Sequence, residues 1–287
     1  VSRETDRPLW IGLVVLGVAL AINSLLGPLA AAVVEYPFSQ SMVNQTIGLD
    51  AVSLAVVAPW SLLAAEAVRR KHHAGPILAI PPAAYSAYMF SQYVLGPTYL
   101  EYPAVMPLHL GIFVLGWVLV VLAWVRIDVS DLPTVGERRW RIYAGGVGFF
   151  AFFTFARYVP SFVGMASGEP ISEEFAQDPT MFWTIFLLDV GVVVPATIGA
   201  SVGAYRGRAW GRKALYPLAG WFALVPISVS AMSIVMYLND DPYGSLGSVA
   251  FLTSAAVAFT AFVVWVHLPL FGGDGSPDTG PASETTG

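Results

Sequence analysis

Apolar residues in this chain run in blocks of about 20 rather than in the two-residue alternation of half-buried strands or the one-sided stripes of soluble helices. Eight such blocks, parted by short polar turns, predict helices at 9–34, 49–68, 76–96, 104–125, 142–165, 181–204, 214–238 and 246–270. At a rise of about 1.5 Å per residue, each is long enough to cross roughly 30 Å of hydrocarbon. The predicted fold is all-α, a polytopic transmembrane bundle of eight helices. Residues 1–8 precede it, and 271–287, rich in Gly, Pro, Ser, Thr and acid, read as a disordered tail. No intervening segment is long enough for a soluble domain.

Two blocks need comment. The first ends in Ala30-Ala31-Ala32, which looks like a signal-peptide cleavage region. Its apolar run is too long and its charged flank too acidic, so it is kept as a spanning helix. The third contains Pro81-Pro82 and carries Tyr85, Tyr88, Gln92 and Tyr93. It is expected to be kinked, or to line a cavity with its outer half, since irregular backbone inside a membrane must be covered by protein or water.

Composition sharpens this picture: 56% of residues are hydrophobic and only 11% charged, under half the usual soluble share. The absence of cysteine removes thiol catalysis, disulfide exchange and thiolate metal sites. A net charge of −5 gives no footing for nucleic acid. Charge also sets orientation. With eight helices, Arg3, Arg7, Arg69, Arg70, Lys71, Arg126, Arg138, Arg139, Arg141, Arg206, Arg208, Arg212 and Lys213 fall on one face. The positive-inside rule makes that face, and both termini, cytoplasmic. The opposite loops hold Glu35, Glu101, Glu169, Glu173, Glu174, Asp178, Asp240 and Asp241 and no base.

The one remaining basic residue, Arg157, lies inside the fifth block, eight residues before its outer end. That is about 12 Å deep. Asp189 lies eight residues into the sixth block, at the same depth on the neighbouring helix. A charge near mid-membrane costs at least about 2.5–3.5 kcal/mol, so two at one depth should face each other, directly or through water, or face a wet cavity. Such a pair either fixes helix register or marks a site. His109 enters the fourth block just below Glu101 and Tyr102; Asp50, Gln45 and Asn44 are expected at the outer mouth of the second block, and Glu35 at the end of the first. With Tyr88, Gln92 and Tyr93 these outline an outward-facing polar pocket. The candidate ligand-binding residues are therefore Arg157, Asp189, His109, Asp50, Gln92, Tyr88 and Glu101.

Other features read as structural. Glu66 precedes Arg69 and Arg70 at helical ion-pair spacing. His72-His73 adjoin a basic loop and lack further ligands for a metal, and His109 and His267 sit at opposite ends, unable to share a haem. Both lysines lie in loops, which removes a retinal Schiff base. No phosphate loop, HExxH or histidine-box array occurs. No metal and no cofactor is expected. Gly199, Gly203 and Gly207 recur every fourth residue, a small-residue stripe for close packing within the chain or between copies in a homo-oligomer. Leu26-Gly27-Pro28 with Glu35-Tyr36-Pro37 echoes Leu95-Gly96-Pro97 with Glu101-Tyr102-Pro103.

The run Gln45-Thr46-Ile47-Gly48-Leu49-Asp50, Pro59, the basic turn, then Tyr85-Ser86-Ala87-Tyr88, Tyr93 and Gly96 resembles a group of microbial polytopic membrane proteins. That group shows a polar Gly/Gln-x-Asp entry to one helix and a YxxY…SYxxG-like next helix, with Gln92-Tyr93 here replacing Ser-Tyr. The resemblance spans roughly residues 45–120. It has no established activity to lend, but it implies weight for Asp50, Tyr85, Tyr88 and Tyr93. Three functions stay open: binding or transport of a small molecule or ion in a cell membrane, an enzyme acting on a lipid or isoprenoid, and an assembly subunit. Membrane lipids are the expected surroundings in all three.

Overall fold

The structure, a computed structural model, describes residues 6–272, and over these it is helical throughout with no strand. Eight long helices follow one another: α1 (Arg7–Leu26), α2 (Gln40–Arg69), α3 (Gly75–Leu95), α4 (Met106–Arg126), α5 (Glu137–Ser167), α6 (Pro179–Tyr205), α7 (Ala209–Leu238) and α8 (Leu246–His267). Seven of them are long and apolar enough to cross a membrane. The other, α3, falls short on mean hydropathy because of its prolines, tyrosines, serines and Gln92, and it is the most enclosed helix. It packs against α2, α4, α6 and α7, and its tyrosines and Gln92 point into the bundle. Of the expected tails at 1–8 and 271–287, residues 1–5 and 273–287 lie outside the described residues.

The helices departing from the sequence reading do so for local reasons. α1 stops at Leu26 rather than at 34. Pro28 disfavours helical backbone at the residue before it, and Gly27 is extended there, with ψ −174°. Residues 27–39 instead link α1 to α2 without helix and carry Tyr36 inward, where it is 8% exposed. α2 starts at Gln40, nine residues earlier than hydropathy predicts. Ser39 caps it by accepting the Met42 N–H at 3.4 Å, and its first turns bury polar Ser41, Asn44 and Gln45. Hydropathy misses such turns because it scores their polarity without their burial.

Proline leaves three further marks. α3 runs unbroken through Pro81-Pro82; Pro82 lacks the N–H that would satisfy the Leu78 carbonyl, and Trp60 Nε1 donates to that oxygen at 3.0 Å. α5, predicted continuous, breaks at Arg157-Tyr158, one turn before Pro160, and resumes at Val159. α2 and α6 each contain a π-helical stretch, Ser53–Val57 and Leu187–Val193, shortly before Pro59 and Pro195. Wide turns of that kind accommodate a missing donor and re-aim nearby side chains.

The packing order repeats. Within the first four helices α1 lies on α2, α2 on α3 and α3 on α4; within the second four, α5 lies on α6, α6 on α7 and α7 on α8. The two sets join where α3 meets α7, with the N-terminal half of α2 crossing to α7 and that of α6 crossing to α3. Gly48 permits the first crossing: a Cβ there would stand 2.6 Å from the Met232 backbone. The glycine stripe of α6 does not form one outer face. Gly203 packs on Gly211 and Trp210 of α7, Gly199 borders an apolar cavity, and Gly207 lies in the turn beyond the helix.

Candidate functional site

Asp189 is the centre of the site. The π stretch of α6 holds it 5% exposed, ten residues into the helix, or about 15 Å along it. Tyr88 of α3 donates its hydroxyl to one carboxylate oxygen at 2.6 Å, and Tyr158 donates to the other at 2.6 Å. Tyr158 reaches it because the break in α5 turns its ring inward, where it is 2% exposed and edge-on to Phe186. Hydrogen bonds to a charged acceptor are worth about 1.5–3 kcal/mol each, so this clamp is a main anchor of α6.

Arg157 occupies the same break but makes no direct ion pair with Asp189. Among the described residues the ion pairs are Arg69 and Arg70 with Glu66, Arg126 with Asp6, and Arg212 with Glu137. The tyrosines take the carboxylate and leave the guanidinium exposed, beside the Tyr158 ring at 5.5 Å. Both side chains line a cavity of about 340 Å³ among α5, α7 and α8. Its polar end holds Gln45, Arg157, Glu174 and Asp189, and its apolar walls include Phe153, Trp221, Phe222 and Phe259.

Glu174 and Gln45 were placed by sequence only among the outer acids and at the mouth of α2. In the fold the Gln45 amide donates to Glu174 at 2.7 Å, fixing the acid over the cavity. Burial raises the Glu174 carboxyl above its ordinary pKa, Arg157 pulls it back, and Asp241 pushes it up again. Asp241 itself accepts from Asn44 at 2.8 Å. A smaller space of about 50 Å³ continues inward past Tyr85, Tyr88, Gln92 and Ser228 to Arg157 and Asp189. The ring of Tyr88 also meets that of Trp221 edge-on at 5.5 Å. This pair stands between the polar cavity and an apolar one of about 480 Å³ bordered by Trp117, Trp124 and Trp210.

Three candidates lie elsewhere. Glu101 is exposed in the loop before α4 and does not line the cavity. His109 is fully buried in a different cluster: its Nε2 lies 2.9 Å from the Asn23 oxygen and 3.4 Å from the Tyr36 hydroxyl, among the rings of Tyr36, Phe90 and Tyr93. Asp50 is not at the mouth of α2. The early start of that helix sinks it ten residues in, 1% exposed, with Oδ2 lacking any hydrogen-bond partner. Tyr88 and Gln92 do line the inner space, Gln92 with its amide 3.7 Å from the Met89 sulfur.

Among the described residues no group of three histidines or acids is placed to hold a metal ion. No protein-family model, curated protein or solved structure matches the chain. The function must be read from the site alone.

Proposed function

We propose that the chain is an eight-span protein of the cell membrane, with both termini cytoplasmic, that binds and transports a small molecule through the cavity at Arg157. The basic residues at one end of the bundle and the acidic loops at the other support that orientation. The ligand class follows from one observation. Arg157 presents its guanidinium to the cavity with no hydrogen bond or ion pair of its own, while the two acids beside it are engaged by Tyr88, Tyr158 and Gln45. Five N–H donors in a planar fork fit a carboxylate or phosphate. The aromatic walls fit an apolar body behind it.

The position of the cavity also keeps a lipid-active enzyme in view. α1 and α4 pack closely, whereas their counterparts α5 and α8 meet through aromatic side chains such as Phe150 on Phe259 and Phe153 on Phe251. A lipid-like substrate would enter between α5 and α8. Octanoate, a carboxylate with a short apolar tail, is the probe that tests the shared chemistry. In nanodiscs it should raise the thermal stability of the wild-type protein and leave Arg157→Gln unmoved. Equal stabilisation of both proteins, or of neither, sinks the reading. Uptake of octanoate into proteoliposomes would favour transport; its binding without uptake would favour the enzyme.

A further inference from the structure

A single step of 139 residues relates the two halves of the chain. It carries the start of α2 at Gln40 to that of α6 at Pro179, and Asp50 to Asp189. The same step takes Arg7–Leu26 into α5, Gly75–Leu95 into α7 and Met106–Arg126 onto α8. Ser41-Met42 falls on Thr180-Met181, and Leu49-Asp50 on Leu188-Asp189. The helix caps Ser39 and Asp178 are also one step apart and touch: the Ser39 backbone N–H and hydroxyl both donate to the Asp178 carboxylate. Equivalent residues meet in this way only near the axis relating two units. The chain thus repeats one four-helix plan, and Asp50 is the first-half counterpart of Asp189.

The surroundings of the two acids are not repeated. One step from Tyr88 stands Ile227, and one step back from Tyr158 and Arg157 stand Ala19 and Val18. Asp50 thereby lacks the donors that hold Asp189. Its Oδ2 has no hydrogen-bond partner and is pressed against Gly27, where a Cβ would come within 2.5 Å. Ser24 stands close by, its hydroxyl likewise without a partner within bonding distance. Across from α1, Tyr85 and Tyr93 of α3 and Tyr36 of the outer segment feel its charge, and His109 of α4 lies behind Tyr36. Among the described residues, neither lysine nor arginine stands close enough to act on it.

An ionised carboxylate in such a place would have the nearby Ser24 hydroxyl alone to offset its burial. A metal cation would need room and several oxygens, and the backbone of Gly27 fills the space in front of Oδ2. A proton needs neither. We propose that Asp50 is a proton-exchange site, carrying a proton while Gly27 is seated against it and releasing it when the 27–39 segment lifts. On release the O–H bond breaks, the proton passes to water, and the electron pair stays on the carboxylate. Tyr36, Asn23 and His109 form the polar layer between this carboxyl and the outer end of the bundle.

The test is infrared spectroscopy of the full-length protein in nanodiscs at neutral pH, in H₂O and in D₂O. The wild type should show a carboxylic-acid C=O band, sensitive to deuterium, that Asp50→Asn loses. Persistence of every such band in Asp50→Asn overturns the proposal. So does a sodium- or potassium-dependent stabilisation of the wild type that Asp50→Asn abolishes. Should Asp50→Asn fail to fold, Ser24→Ala decides: the band should shift as its polar neighbour is removed, and an unmoved band counts against Asp50. Octanoate plays no part in these readouts, so they stand apart from the Arg157 site.

Discussion

Asp50 and Asp189 occupy the same place in two copies of one plan, each ten residues into its helix, Asp189 within a π-helical stretch and Asp50 just before one, yet their surroundings differ. Asp189 has a hydroxyl on each oxygen and a cavity beside it. Asp50 has an unpartnered oxygen and packed backbone. Backbone plan and buried acid are therefore common to both halves, and a few side chains decide what each acid does. One tyrosine from each half, Tyr88 and Tyr158, reaches Asp189, where the step places apolar Ile227 and Ala19 for Asp50. The helix α5 is also broken at Arg157-Tyr158 where α1 runs unbroken. A carboxylate held by donors can stay charged beside a ligand; one without donors is best suited to trading a proton.

Making Asp189 resemble Asp50 should have the largest effect. The double variant Tyr88→Phe/Tyr158→Phe removes both donors without changing ring packing, and should lower stability in a denaturant titration in mixed micelles by about 3–6 kcal/mol, from about 1.5–3 per charged hydrogen bond. A loss under about 1 kcal/mol would mean that the carboxylate is not held by the clamp. Next in size is Gly27→Ala, whose methyl meets Asp50 Oδ2; overpacking of this kind costs about 1–3 kcal/mol. Pairing it with Asp50→Ser should restore most of the loss, and additive costs would show that the two residues are not in contact. The smallest effect belongs to Glu174. A carboxyl raised by burial binds more protons folded than unfolded, so its contribution to stability is complete below its unfolded pKa and declines as pH rises through the folded one. Octanoate affinity should fall over the same range as the cavity mouth gains negative charge. Glu174→Gln should flatten both profiles, and an unchanged pH slope in that variant would assign the titration to another group.

Much of this was legible in the residues, though not all for the same reason. Apolar block length located the helices because membrane-length burial leaves a continuous signal. Depth counting brought Arg157 and Asp189 to one level because helical rise is constant. The partner of Asp189 was not legible: Tyr158 becomes a donor only through the break before Pro160, and its place between Arg157 and that proline was the one available hint. The site of Asp50 was misjudged because the first turns of α2 are polar. In a bundle, polar residues signal burial against other polar groups as readily as they signal a loop. Glu174 looked like any acid in an outer loop, and only tertiary folding sets it over the cavity beside Gln45. The 139-residue step escaped notice because matching residues are few, while the shorter Leu-Gly-Pro echo attracted attention.

The enclosed character of α3 bears on how the protein is made. A segment with three prolines, three tyrosines and a glutamine, and too low a mean hydropathy to qualify as a span, partitions poorly into lipid by itself. During synthesis it must wait at the membrane until α4, whose Gly116 packs against Ala83 and Ala87 of α3, has emerged. The first half of the chain is therefore expected to integrate α3 and α4 as a hairpin. A nascent chain ending between them should leave α3 outside the bilayer, accessible to protease, until the next helix arrives.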